Sequence, residues 1–175
     1  MSDPVIRVDS AALTVTFGDW QAVCIIGRSG ACAADAKREG DGCTPLGRWP
    51  VRAALLRPGS AAPPPGFALP WRWTGAHDGW SDDPADPEYN RPVRLPHPFS
   101  AETLQRSDVL YDVIIVLGHN DAPPVPGAGS AIFLHLWDEA RREGERSTEG
   151  CVAIARGDMM ALLPMLLPGM MVDLR

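Results

Sequence analysis

The chain has 175 residues, which is the usual size of a single domain. Its 16 basic and 22 acidic side chains give a net charge of −6, and no block of Lys or Arg is present. This is not the composition of a nucleic-acid-binding protein. With 45% hydrophobic and 22% charged residues, the chain has the makeup of a globular protein with a core. Its 17 glycines and 18 prolines predict many turns and short strands rather than long helices.

No membrane span is predicted, because the longest apolar stretch, 159–172, is too short and contains Pro164 and Pro168. The N-terminus lacks a basic segment followed by an apolar run, so no signal peptide is recognised. Three alternatives stay open. The protein remains inside the cell, the chain begins after a removed signal, or export uses another route.

Short strands are predicted first. Alternating or continuous apolar residues indicate strands at Val5–Val8, Leu13–Phe17 and Trp20–Ile26. A polar, glycine-rich loop follows over 27–47, and then a strand at Arg48–Leu56, where Pro50 favours a sheet edge.

The middle of the chain is predicted to be a long irregular loop, because 15 of the 18 prolines lie between Pro45 and Pro126. A loop of this length in a compact domain is often a lid or the wall of a binding groove. Its aromatic residues either line such a groove or only pin the loop to the core. They are Trp71, Trp73, Trp80 and Tyr89.

The C-terminal part returns to regular structure. Strands are predicted at 110–117, 131–137, 151–155 and 170–174, with Asp158 capping a short helix that ends near Leu167. The predicted fold class is therefore mainly β, with one or two short helices and a long Pro-rich loop region. Residues 1–175 are expected to form one domain.

The four cysteines contain no C-x-x-C pair, which argues against a structural zinc site. Cys24 lies in an apolar run and is interpreted as a small core residue. Cys32 and Cys43 flank a polar loop and can pair in an oxidising compartment, but free thiols are expected.

His135 and Cys151 stand out from the strands that carry them. His135 interrupts an apolar strand, and Cys151 follows Gly150 where a polar turn meets an apolar strand. An imidazole that takes the thiol proton would activate Cys151 as a nucleophile. The amides of Gly150 and Cys151 would then stabilise an oxyanion. The alternative, open on residue types alone, is a core histidine and a buried cysteine without chemistry.

Two motifs resemble the L,D-transpeptidase (YkuD) catalytic-domain family. One runs from His135 to Ser147-Thr148-Glu149-Gly150-Cys151-Val152, like the family's His followed by Ser/Thr-x-Gly-Cys and an apolar residue. The other, from Lys37 to Pro50, is similar to the family's stretch with Lys, Gly-Asp, Thr-Pro-x-Gly and an aromatic-Pro pair. Tyr89-Asn90 and 130–135 resemble a short bacterial branch. The resemblance covers residues 5 to 174.

The resemblance implies a YkuD-like β-sandwich or barrel-like catalytic domain that acts on peptidoglycan stem peptides as donor and acceptor. Cys151 would attack the carbonyl of a diaminopimelate L centre, a D-amino acid would leave, and an acceptor amine would resolve the thioester into a 3-3 cross-link. Some relatives make 1-3 cross-links. His135 would be the general base, and Gly150 would give an oxyanion N–H. Neither a cofactor nor a metal is expected, and carbapenem-like β-lactams are possible inhibitors.

Further residues are candidates for substrate binding: Lys37, Tyr89, Asn90, Arg91, His119, Asn120, Thr148 and Glu149. Lys37 and Arg91 either bind stem carboxylates or balance nearby acids. Glu149 stands where the family often has His, and it either steers the acceptor amine or is solvated. An acidic stretch from Asp82 to Glu88 attracts an amine-bearing acceptor or is a solvated loop.

Two other functions stay open at this stage. Water in place of the amine would make the protein an L,D-carboxypeptidase of stem-peptide trimming or recycling. Loss of the chemistry would leave a non-catalytic peptidoglycan-binding module, which only the His-to-Glu149 departure favours. The substrate suggests the periplasm or cell envelope, and the missing signal peptide suggests the cytoplasm as the alternative.

Overall fold

The computed structural model describes residues 4–175. Its strands follow in chain order: β1 (Val5–Asp9), β2 (Thr14–Phe17), β3 (Trp20–Ile25), β4 (Ala31–Cys32), β5 (Thr44–Pro45), β6 (Gly47–Leu56), β7 (Trp71–Trp73), β8 (Asp78–Ser81), β9 (Pro92–Arg94), β10 (Ala101–Thr103), β11 (Val113–Leu117), β12 (Phe133–Leu136), β13 (Val152–Ile154) and β14 (Met171–Leu174). One α-helix, α1 (Arg156–Leu162), and two 3-10 turns, Glu143–Glu145 and Leu163–Met165, complete the secondary structure of these residues.

The main sheet closes on itself. Its order is β11-β12-β13-β3-β2-β1-β14-β6-β7, and β11 also pairs with β6. Within residues 4–175, eight strands therefore form a closed barrel, and β7 extends it outside β6. Closure leaves the barrel strands without a free edge, which suits a chain whose strands are mostly three to six residues long.

Alternation along the strands gives the barrel two buried faces. Ile115, Leu134 and Val152 belong to the interior cluster, to which α1 adds two side chains, Met159 and Leu162. The neighbouring residues in sequence point outward and form a second cluster, with Ile114, Phe133 and Cys151 among its members. Side chains along a strand alternate between its two faces. Once one set of residues fills the barrel interior, the residues between them, Cys151 included, must lie on the outer face.

The outer cluster is covered by a separate sheet of three strands, β10-β8-β9, which we call the cap sheet. Trp80 of β8 packs edge-on against Phe133, with ring centroids 5.1 Å apart. The cap sheet thus lies over the face of the barrel where β12 and β13 run side by side.

The fold class is confirmed, with three corrections to individual elements. The Pro-rich region is not a loop throughout, since it contains β7 to β10. Pro50 is not at a sheet edge, because β6 pairs with β14 on one side and with β11 on the other. Pro50 lies just beyond Val51↔Leu117, the last pair between β6 and β11. The register of that pairing shifts there, so the missing N–H of Pro50 is tolerated. Asp158 is not the helix cap, because α1 begins at Arg156 with Ala155 before it.

Candidate active site

Cys151 and His135 come from adjacent parallel strands. The register pairs His135 with Ala153, so Cys151 and His135 lie on the same outer face, two residues apart along the strands. A two-residue step along one strand and one step across give a Cα separation of about 8 Å. Both residues line one groove of about 470 Å³ between the barrel and the cap sheet. The sequence prediction that the two strands lie side by side is confirmed.

The thiol of Cys151 is held by the backbone before β12. Its Sγ donates to the carbonyl of Ala131 at 3.2 Å and accepts the N–H of Phe133 at 3.4 Å. Burial raises the pKa of Cys151 to about 12, the Glu102 carboxylate adds to the rise, and the Phe133 N–H and Lys37 ammonium oppose it. In the empty groove, Cys151 is therefore a neutral thiol.

A backbone carbonyl orients the His135 ring. Nδ1 lies 2.7 Å from the carbonyl of Leu136, which assigns the N–H to Nδ1 and leaves the Nε2 lone pair free to accept a proton. The ring also packs edge-on against Tyr111 at 5.1 Å between centroids. Burial lowers the pKa of His135 to about 4, so the imidazole is neutral. Among residues 4–175, no hydrogen bond joins Cys151 to His135.

The turn before Cys151 is fixed by Thr148. Its hydroxyl donates to the carbonyl of Cys151 at 2.6 Å and accepts the N–H of Gly150 at 3.2 Å. The Gly150 N–H is thus bonded to Thr148 in this structure, and its role as an oxyanion donor stays a prediction. Gly150 is required for another reason. Its φ is +139°, and a Cβ there would lie 2.9 Å from the carbonyl oxygen of Cys43.

Lys37 lies behind this turn rather than in the groove. Its side chain is 2% exposed, and its ammonium pairs with Asp41, not with a neighbouring acid at 35 or 39. A Cβ on Gly150 would lie 3.4 Å from Nζ. The placement does not support substrate binding by Lys37, because the ammonium is buried and already paired.

Asn90 likewise has a structural position. Its Oδ1 accepts the N–H groups of Trp80 (2.8 Å) and Ala131 (3.1 Å), while Nδ2 donates to the carbonyls of His119 (3.1 Å) and Asn120 (2.7 Å). All four bonding positions of the amide are used, so none is left for a ligand. Since Ala131 in turn accepts the Cys151 thiol, Asn90 helps to position the nucleophile.

The other predicted binding residues separate into two groups. Thr148 and Glu149 line the groove, although Glu149 is paired with Arg28 at 2.9 Å on the exposed rim. Four lie outside it. Tyr89 is buried and its hydroxyl donates to Glu39, while Arg91 lines a separate apolar cavity. His119 packs edge-on against Trp49. The Asn120 side chain donates to the carbonyls of Val125 and Gly129 and so holds the loop 120–129.

Sequence reasoning missed a charged wall of the groove that adjoins His135. Glu102 of β10, Arg106 and Tyr111 all line it, with the Tyr111 hydroxyl donating to Glu102 at 2.5 Å. Arg106 lies over the Tyr111 ring, 5.2 Å from its centroid, and pairs with Asp108. Three-residue strands in a Pro-rich segment leave no periodic signal, so only the fold brings these residues to Cys151.

The remaining cysteines and the metal-type clusters lie away from the groove. Cys32 and Cys43 form a disulfide, which corrects the expectation of free thiols, and Cys24 is buried in the barrel interior as predicted. Among the described residues, one cluster of metal-type ligands without a disulfide is Asp86, Glu88 and His97 in the cap sheet region. Asp86 is already bound there by Ser81 and His97.

The family model of the L,D-transpeptidase catalytic domain, YkuD, matches residues 3–174. The chain therefore belongs to the YkuD family of L,D-transpeptidase catalytic domains. None of the curated proteins compared with it matches. No helix among residues 4–175 has the length and hydropathy needed to cross a membrane.

Solved structures are similar in fold. One is a mutant of the Enterococcus faecium L,D-transpeptidase, with a TM-score of 0.50 and 12% identity over 100% of this chain and 50% of that chain. Pgp2, the helical cell shape determining protein of Campylobacter jejuni, gives 0.49 and 14% over 99% and 47%. L,D-transpeptidase 3 of Mycobacterium tuberculosis gives 0.49 and 14% over 99% and 61%. The chain spans about half the length of the first two.

Proposed function

We propose that the protein is a peptidoglycan L,D-transpeptidase that works through a thioester on Cys151. The observation that carries the proposal is the pairing of β12 with β13, which brings Cys151 and His135 onto one face of one groove. Membership of the L,D-transpeptidase family supplies the substrate class. Residues 1–175 are proposed to act as a single catalytic domain.

The geometry supports the following sequence of steps. His135 Nε2 takes the Cys151 proton as sulfur attacks the carbonyl of the diaminopimelate L centre. The proton then passes to the leaving D-amino acid, and the acyl group stays on sulfur. An acceptor amine resolves the thioester and gives a 3-3 cross-link, or a 1-3 link where the first stem residue is the donor. The Leu136 carbonyl keeps Nδ1 protonated throughout.

Among the alternatives, the carboxypeptidase uses the same groove with water as the acceptor, so product analysis separates it from transfer. The non-catalytic module rested on Glu149 replacing His. The Glu149 carboxylate pairs with Arg28 on the rim, outside the chain of contacts that hold Cys151 and His135, so its presence does not argue against catalysis.

The Cys32–Cys43 disulfide favours an oxidising compartment, which supports action in the periplasm or cell envelope over the cytoplasm. Acylation of Cys151 by carbapenem-like β-lactams follows from the same thioester chemistry and remains part of the proposal.

The test uses purified protein with disaccharide-tetrapeptide muropeptides and mass spectrometry of the products. Cys151→Ala is compared with Cys24→Ala, a matched loss of a buried thiol inside the barrel. We expect a dimer lacking one D-alanine from wild type and Cys24→Ala, and none from Cys151→Ala. A tripeptide without dimer would mean that the enzyme hydrolyses the thioester and does not transfer the acyl group to an amine. Equal products from Cys151→Ala would refute the role of Cys151.

A further inference from the structure

The wall of the groove around Tyr111, which adjoins His135, is acidic. Four carboxylate residues line the groove, and two arginines accompany them: Glu39, Asp82, Glu102, Glu149, Arg106 and Arg141. Glu149 is neutralised by Arg28, and Arg106 is engaged by Asp108. Of these carboxylates, Glu102 is the one that adds to the raised pKa of Cys151, and its own charge interacts with those of Arg106, Asp82 and Glu39.

Glu102 has one carboxylate oxygen in use and one available. Oε1 accepts the Tyr111 hydroxyl, and no hydrogen bond reaches Oε2 from any residue in 4–175. Burial raises the pKa of Glu102, and the Tyr111 hydroxyl opposes the rise, so the carboxylate is a stronger proton acceptor than an exposed glutamate.

One further polar atom in the same wall lacks a partner. Asp82 lines the groove, and its Oδ1 is buried without a hydrogen-bond partner. Ser130 also lines the groove, but its hydroxyl lies within reach of the Tyr89 side chain. Buried polar groups are normally satisfied, so the unpaired Asp82 acceptor, whose charge interacts with that of Glu102, indicates a place where an N–H donor of a ligand completes the bonding.

We propose that Glu102 receives the ammonium of the acceptor stem peptide beside Cys151 and takes its first proton. This inference rests on the proposed transpeptidase function and names the group that selects an amine over water. An ammonium offers three donors, and Glu102 Oε2 and Asp82 Oδ1 are acceptors of this groove that lack partners among residues 4–175.

The protons balance through Glu102 and His135. The acceptor ammonium gives one proton to Glu102, and its nitrogen lone pair attacks the thioester carbonyl carbon. The C–N bond forms and the C–S bond breaks. The second proton on nitrogen passes through His135 to the departing Cys151 sulfur, and Glu102 releases its proton to water.

The test measures the two half-reactions separately in Glu102→Gln, with Glu143→Gln as the control. Glu143 is an exposed glutamate in a 3-10 turn and does not line the groove. The glutamine can still accept the Tyr111 hydroxyl, so the fold is retained, and a melting curve checks this. Acylation is read as the intact mass of the enzyme with tetrapeptide donor, and transfer as dimer formed against acceptor concentration.

In Glu102→Gln we expect the acceptor KM to rise at least tenfold and products to shift from dimer to hydrolysed tripeptide. Acylation should be unchanged or faster, because a negative charge beside Cys151 has been removed. Transfer to hydroxylamine, a neutral amine at pH 7, should change less than twofold. The Glu143→Gln protein should behave as wild type.

Unchanged dimer formation in Glu102→Gln would overturn the proposal, and so would an equal loss of transfer to hydroxylamine and to the stem peptide, which would indicate a structural role. Failure of the proposed function looks different, since wild type itself would then form no Cys151-dependent dimer at any acceptor concentration.

Discussion

The free protein is expected to hold Cys151 and His135 as a neutral thiol and a neutral imidazole, not as an ion pair. The pKa of Cys151 is raised to about 12 by burial, and that of His135 is lowered to about 4 by burial. Moving the proton between them in the empty groove costs about 11 kcal/mol at 1.36 kcal/mol per pKa unit. The attraction within a contact ion pair at an effective dielectric of 20 is about 4 kcal/mol, which is less than half of the cost of moving the proton.

The rate at which Cys151 is alkylated should increase with pH. Because the thiolate is the reactive form, the alkylation rate of Cys151 should rise tenfold per pH unit and continue to rise to about pH 12. At pH 7 the rate should be about a thousandfold below that of an unperturbed thiol, whose pKa lies about three units lower.

The assay is alkylation by iodoacetamide between pH 5 and 10.5, followed by intact mass. Cys24→Ala removes the other free thiol, so that Cys151 alone reports. His135→Gln in the same background should leave the rate unchanged. A plateau below pH 8, or a marked loss of rate in His135→Gln, would mean that the ion pair forms without substrate and would refute the reasoning.

Three further predictions concern the turn before Cys151, the Asn90 amide and the disulfide. Gly150→Ala should lower the free energy of unfolding, measured by urea titration, by about 3 kcal/mol and abolish activity. The alanine would be strained by the positive φ, and its Cβ would collide with the Cys43 carbonyl oxygen. Gly127→Ala, with a positive φ but open space, should cost only about 1 kcal/mol in the same urea titration. Asn90→Ala should cost about 3 kcal/mol by leaving two buried N–H groups unpaired, and should slow Cys151 acylation. Replacing Cys32 and Cys43 by serine should cost about 3 kcal/mol for a crosslink spanning 11 residues, measured by the same titration; no change would contradict a disulfide in the wild type.

The strands that carry the site were predictable because their signals are local. His135 and Cys151 stand out as polar or reactive residues within apolar runs, and alternation then determines that both share a face. The barrel strands near the termini follow from the same apolar patterns. The prediction of a sheet edge at Pro50 was wrong because a proline is tolerated inside a sheet where the pairing shifts register. The register of a strand cannot be read from the sequence of that strand alone.

The charged wall was not predictable for a different reason. Glu102 and Tyr111 meet only because the three-residue β10 pairs with β8, which packs on Phe133 through Trp80. Such short strands have no measurable period, and their pairing depends on contacts distant in the sequence. The same holds for Lys37, whose side chain lies against Gly129 and Gly150, both about ninety or more residues away in the sequence.

The charges around Cys151 make the proposed roles of His135 and Glu102 consistent with one another. A negative Glu102 opposes the thiolate, so it would hinder departure of the sulfur when the thioester is resolved. Once Glu102 has taken a proton from the acceptor ammonium, it is neutral at the moment the sulfur leaves, and it no longer opposes the Lys37 ammonium, which favours the thiolate. One proton transfer thus activates the amine and removes the repulsion against the leaving thiolate. Water brings no ammonium to Glu102, so on this proposal the groove favours an amine over water as the acceptor.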